Sequence, residues 1–251
     1  MIQYNIKSER KYYFKVIFVF YAVWIIAFQI VGRYAATLKT HDPTTAIDRM
    51  IPLLPDFVWF YELAYIFPLL PLLVVKDFHR LNIILLSVIL ANISAFVVYL
   101  AYPIALPRPE LGQSLAESIL YIEYTTGFYP GANKLPSMHV AFAWFVYFAV
   151  RGQNLRKLGE AIVLILTVMI TVSTLFTKQH IIFDAATGIL WAFGAWGLSN
   201  HLYPYLTNQE DSPRIALHQM FKKIGVFSIY SYASGIVIMA ILWAIRRTVD
   251  K

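Results

Sequence analysis

The sequence predicts an all-α protein, a polytopic bundle of membrane-spanning helices, and three observations carry that reading. Of its 251 residues, 59% are hydrophobic and 14% charged, whereas a soluble domain carries about 25% charged residues. Apolar runs suited to hydrocarbon about 30 Å thick, which takes roughly 20 helical residues, recur seven times. Short basic turns separate several of them, the pattern that fixes topology. The absence of cysteine excludes a disulfide framework, a thiol nucleophile and a thiolate metal site. In a chain this apolar, the net charge of +7 serves topology and contact with anionic lipid, with no nucleic-acid partner.

The first run, Phe14–Val31, is a true span, because the Gly32-Arg33-Tyr34 that follows lacks a small-x-small cleavage pattern. Phe57–Val75 and Leu81–Tyr102 come next. Ser137–Val150 is short, so it continues through Arg151 or is covered by neighbouring helices. Leu158–Phe176, His180–Ser199 and Val226–Ile245 complete the set. With the N-terminus inside, 12 of the 21 basic residues fall on the cytoplasmic side, among them Lys76, Arg80, Arg151, Arg156 and Lys157. Arg246, Arg247 and Lys251, beyond the seventh run, conflict with this unless that run is re-entrant or lies on the surface.

Two long loops, Gly32–Asp56 and Pro103–Pro136, face outward on this topology. In the second, Leu115, Ile119 and Ile122 recur at helical spacing and predict a short interfacial helix. In the first, Asp48, Arg49 and Asp56 flank Ile51-Pro-Leu-Leu-Pro, which reads as a solvated loop or else as a lid or mouth. There is no internal repeat. Residues 1–251 read as one transmembrane domain with its motifs at about 81–200.

Ionisable groups at or within spans are expensive to hold and are functional candidates by default. Of the six histidines, only His139 and His180 begin apolar runs, and both starts face outward. Leu135-Pro136-Ser137-Met138-His139 is first of all a good helix start, since Pro lacks the amide that would be orphaned and Ser supplies a cap. The same geometry offers the amides of Ser137, Met138 and His139 to an anion, with His139 beside it as proton donor. His180 and Asp184, four residues apart, share one helix face. A carboxylate there holds one imidazole nitrogen protonated and leaves the other to attack or to bind metal. Two readings compete with catalysis: a buried polar pair between helices, and a zinc set of His139, His180 and Asp184. Glu62 and Asn92, inside spans, read as interhelical hydrogen-bond partners. The Lys76–Arg80 turn reads as a topology marker.

The order Arg108-Pro109, then Pro136-Ser137-Met138-His139, then His180-Ile-Ile-Phe-Asp184 resembles the type 2 phosphatidic acid phosphatase superfamily. Its members are six-helix membrane lipid phosphatases and phosphotransferases that work through a phosphohistidine. The resemblance implies a six-helix core with the seventh helix added, no metal or cofactor, a lipid substrate taken from the bilayer, and a site on the extracytoplasmic side. It makes His180 the nucleophile, Asp184 its orienting partner, His139 the acid for the leaving group, and Ser137 and Arg108 phosphate ligands.

Two family cations are missing, their places falling on Ala101 and Thr174, and the Gly of Pro-Ser-Gly-His is Met138. Lys178, two residues before His180, is expected to restore part of that charge. These departures resemble the inositol phosphorylceramide synthase and sphingolipid synthase branch. That branch implies transfer of a phosphate or phospho-headgroup from a phospholipid to a lipid alcohol. With water as acceptor the same chemistry is a lipid phosphate or polyprenyl pyrophosphate phosphatase. The rival from another class is a proton-coupled transporter, which calls for paired repeats or broken helices. The sequence shows neither.

Overall fold

The computed structural model describes residues 5–126, 132–153, 155–208 and 210–225. The described residues are helical, with no strand among them. Contacts divide the chain into two units, Tyr4–Asn200 and the remainder.

The first helix, α1 (Ile6–Ala36), starts well before its apolar run because Asn5 caps it, accepting from the amides of Lys7 and Ser8. The first long loop holds α2 (Ala46–Met50), closed by a capping box between Thr45 and Asp48. The second apolar run is interrupted. Pro68 and Pro71 lack the amides that a continuous helix needs. It folds as a 3₁₀ turn at Pro55–Phe57, then α3 (Val58–Ile66), a second 3₁₀ turn at Phe67–Leu69, and α4 (Leu70–Val74). Asp77 caps α5 (Phe78–Ala101), and the helix expected in the second loop is α6 (Leu115–Thr126). Ser137 caps α7 (Met138–Val150), which ends as Arg151 turns extended at ψ 127°, so the run does not continue.

After α8 (Lys157–Phe176) comes α9 (Ile182–Leu206), which begins later than the apolar pattern predicts and leaves His180 in the turn before it. Lys178 in that turn is left-handed, with φ 53°, and helix propagation stops there. The seventh run, Val226–Ile245, lies outside the described residues, as do Arg246, Arg247 and Lys251.

Four segments are long and apolar enough to cross a membrane: α1, Pro55–Val74, α5 and α8. The 13-residue α7 is too short for that, yet it is apolar on every side, as suits a helix surrounded by protein. On one side Met138, Ala141, Phe145 and Phe148 pack against Ala91, Ala95 and Tyr99 of α5 and Ala192 and Ala195 of α9. On the other, Ala143, Val146 and Val150 meet Ala64 and Phe67 near α3 and Val163 and Ile170 of α8. The alanines let backbones approach closely, the usual device for packing helices in lipid.

Phe18, Ile26, Val97 and Leu190 point outward and are more than 55% exposed, a surface that suits hydrocarbon and not water. As expected, Asn92 bridges helices, its Oδ1 accepting from Trp24 Nε1 at 2.6 Å. Arg80 does more than mark topology. Its guanidinium donates to the carbonyls of Phe148 and Arg151, satisfying the C-terminal end of α7.

In the second unit, residues 213–225 are helical and bury Ala216, Leu217 and Met220. This helix joins the end of α9 through Gln219, which accepts from the Asn208 amide at 2.9 Å, and through Lys223 Nζ, which donates to the Tyr205 carbonyl at 2.7 Å.

Candidate active site

His180 sits in a turn whose backbone is fixed from four places. The amides of Gln179 and His180 both donate to the Thr174 carbonyl at 3.0 Å. From α2, Asp48 Oδ1 accepts from the Ile182 amide at 2.8 Å and so caps α9 from far away in sequence. Lys178 Nζ donates to the carbonyls of Asp48, at 3.0 Å, and Ile51. Arg108 donates to the Lys178 carbonyl at 3.0 Å, and the Tyr124 hydroxyl to that of Thr177 at 2.7 Å. Asp48 is buried, 5% exposed, within a loop whose other residues after α1 are exposed or half-buried, so this one side chain anchors the His180 turn from an otherwise solvated segment. Burial alone raises its carboxyl pKa. Hydrogen bonds from Thr45 and Ile182 and the Lys178 charge outweigh this and hold it below the ordinary value.

Asp184, in the first turn of α9, is fully buried. Its Oδ2 lies 3.4 Å from His180 Nδ1 and accepts from the Ile181 amide at 3.2 Å. Its backbone carbonyl accepts from the Ser137 amide at 3.1 Å, which joins the two histidine-bearing motifs directly. This contact is close because residue 188 is glycine: a Cβ there would lie 2.5 Å from the Ser137 carbonyl oxygen. Tyr99 adds a brace from α5, donating to the Pro136 carbonyl at 2.9 Å.

The Ser137 amide is therefore engaged, and its hydroxyl accepts from the Val140 amide at 3.4 Å. Ser137 acts as a helix cap, and only the amides of Met138 and His139 remain of the three predicted for an anion. The imidazoles of His139 and His180 lie 5.9 Å apart, centroid to centroid. They face one cavity of about 310 Å³, within the usual range for small-molecule sites.

Arg108 lines this cavity, with its guanidinium 4.4 Å over the Tyr124 ring. Lys178 does not: its ammonium donates to the carbonyls of Asp48 and Ile51, and it lines an adjoining hollow beside α2 that shares Arg108 and His180 with this cavity. The second cation of the cavity is Lys134, which sequence reasoning missed. Its one signal was position, three residues before Ser137. Gln179, Glu123, Tyr61 and Tyr65 also line the wall. Tyr61 meets His139, hydroxyl to Nε2, at 3.2 Å, and Tyr65 donates to Glu123 at 2.9 Å.

Burial first, then the charges of Lys134 and Arg108, pushes the His180 imidazole well below its ordinary pKa. The Lys134 backbone, which favours the protonated ring, opposes this more weakly. Burial and the two cations favour the neutral ring, the form that can attack an electrophile. Among the described residues, no group of three or more His, Cys, Asp or Glu side chains is spaced to hold a metal ion. Asp184 stands on the Nδ1 side of His180.

A buried helix junction that presents two histidines, one backed by a carboxylate, beside two cations defines a site suited to phosphoryl transfer. The sequence model of the PAP2 superfamily matches residues 47–198. That is more than half of the chain, which belongs to this superfamily and with it to the phosphatase- and phosphotransferase-type enzymes. Searches of curated proteins and of solved structures found no match.

Proposed function

We propose that the protein is a multi-pass membrane phosphotransferase that moves a phosphate or phospho-headgroup from a phospholipid to a lipid alcohol through a phosphohistidine on His180. One observation carries this reading. The two imidazoles share a cavity with Arg108 and Lys134, while Asp184 stands behind His180 Nδ1. With its proton on Nδ1 facing Asp184, His180 presents Nε2 to phosphorus. Phosphorus–nitrogen bond formation accompanies loss of the lipid alkoxide, which takes a proton from His139. In the second half-reaction His139 removes a proton from the acceptor hydroxyl as its oxygen attacks phosphorus and displaces His180, which restores the starting protonation of both histidines. Arg108, Lys134 and the amides of Met138 and His139 hold the equatorial oxygens.

A lipid substrate is supported by a smaller apolar hollow of about 80 Å³ between α1, α4, α5 and α7. It shares Tyr21, Trp24 and Phe142 with the histidine cavity, so an acyl chain has a dry place beside the headgroup site. We place the cavity on the extracytoplasmic side, from the distribution of basic residues. With water as acceptor the same machinery is a phosphatase.

Incubation of purified protein with a headgroup-phosphate-labelled phospholipid and ceramide tests the scheme. Wild type is expected to form an acid-labile, base-stable protein-bound phosphate and labelled product lipid, and His180→Ala neither. Full activity in His180→Ala overturns the nucleophile. Labelled headgroup released into water without product lipid decides for hydrolysis.

A further inference from the structure

The histidine cavity carries charges of both signs. At one end stand Arg108, Lys134 and His180; in the same wall stands Glu123. Among the described residues Glu123 forms no ion pair. Its Oε2 accepts from Tyr65, a second carboxyl, Glu62, shares a hydrogen bond with it, and its charge also acts on Lys134 without a direct ion pair. A cavity that served a phosphate alone would gain nothing from an acid that repels it.

The surroundings of Glu123 are aromatic. Tyr61 and Tyr65 stand edge to face at 6.1 Å, and His139 packs against both at 4.7 and 5.5 Å. Trp24 and Tyr21 complete that wall, their rings 5.4 Å apart. Ring faces beside a carboxylate are the setting that attracts an ammonium group.

The opposite end points to a ligand independently. Gln179 is 2% exposed and lines the cavity next to His180, and its Nε2 has no hydrogen-bond partner. A buried amide donor left open is costly and calls for an acceptor-rich group, which phosphate oxygens supply.

We propose that Glu123, with Tyr61, Tyr65 and Trp24, binds a positively charged amine on the substrate headgroup while Gln179, Lys134 and Arg108 hold its phosphate. The preferred donors are then zwitterionic phosphoesters. The inference rests on phosphoryl transfer at His180 and adds the headgroup class to it.

The test compares two donors with the same acyl chains and the same phosphodiester, phosphatidylethanolamine and phosphatidylglycerol, in mixed micelles with purified wild type and Glu123→Gln. Wild type is expected to favour phosphatidylethanolamine by tenfold or more in kcat/KM, and Glu123→Gln to bring the ratio close to one. Tyr65→Phe, which removes only the hydroxyl that orients Glu123, is expected to lower the ratio in the same direction. No preference in wild type, or an equal fall for both lipids in Glu123→Gln, overturns the amine site. Turnover of neither lipid, with phosphatidic acid still dephosphorylated through His180, overturns it too and leaves the phosphohistidine standing. Absence of a phosphoenzyme from all three lipids overturns both.

Discussion

Lys134 illustrates how closely the buried groups of the site are coupled: burial and the Arg108 charge push its own ammonium well below the ordinary value, while Asp184 and Glu123 favour its charged form. It is 8% exposed, and after burial itself its charge is the largest influence that keeps His180 unprotonated. The acid limb of the pH profile for kcat/KM reports the free enzyme, and attack requires the neutral ring. Its midpoint is therefore expected below the ordinary imidazole value of 6.5. Lys134→Met, which removes a repelling charge, is expected to shift it upward; an unchanged or lower midpoint refutes this electrostatic account. The same depression links to stability. The unfolded chain binds a proton at His180 that the folded chain refuses, so this contribution is full above about pH 6.5 and is lost as pH falls.

His139, His180 and Asp184 were legible in the sequence because they fall at fixed spacings on the starts of apolar runs. Lys134, Gln179 and Glu123 were not. Each reaches the cavity through tertiary packing alone, and no local periodicity distinguishes them from loop or interfacial residues. For Lys178, adjacency in sequence could not show the left-handed turn that sends its ammonium toward the carbonyls of Asp48 and Ile51.

Between elements, the decisive contact is that of α7 with α9. The helix starts were readable from Pro136-Ser137 and from the apolar runs, but their mutual approach was not, since it depends on the missing Cβ at one position. Gly188→Ala puts that Cβ 2.5 Å from the Ser137 oxygen and must separate the helices. Overpacking of this kind costs about 1–3 kcal/mol. Gly194 and Gly197 on the same helix have open space around a Cβ, and alanine there is expected to be neutral or to stabilise slightly through helix propensity. Thermal unfolding in detergent measures the contrast, with a fall in kcat confined to Gly188→Ala as the Ser137–Asp184 contact opens. Equal behaviour of the three variants refutes the close-approach argument. The interruption at Pro68 was likewise hidden, because an apolar run is read through its hydropathy and the prolines within it are apolar.

Among the described residues, six of the helical segments, α1, α3 with α4, α5, α7, α8 and α9, correspond to the six apolar runs before Val226, although α7 is too short to span and is recognisable as inner only from its neighbours. The orientation proposed above is open to a direct check, because the chain has no cysteine of its own and a single introduced thiol reports alone. Gln113→Cys, in the exposed second loop, is expected to react with an impermeant maleimide in intact cells. Lys76→Cys, in the exposed turn before α5, is expected to react only after permeabilisation. The reverse pattern inverts the assigned topology.

The turn that carries His180 is held by Asp48, Arg108 and Tyr124, all of which precede it in the chain. Synthesis runs from the N-terminus, so the ribosome delivers the anchors first and the reactive imidazole afterwards. A nascent chain halted short of residue 180 contains the receptacle without the group that attacks lipid. The order of translation thereby postpones chemistry until the helices that precede the turn have emerged to receive it.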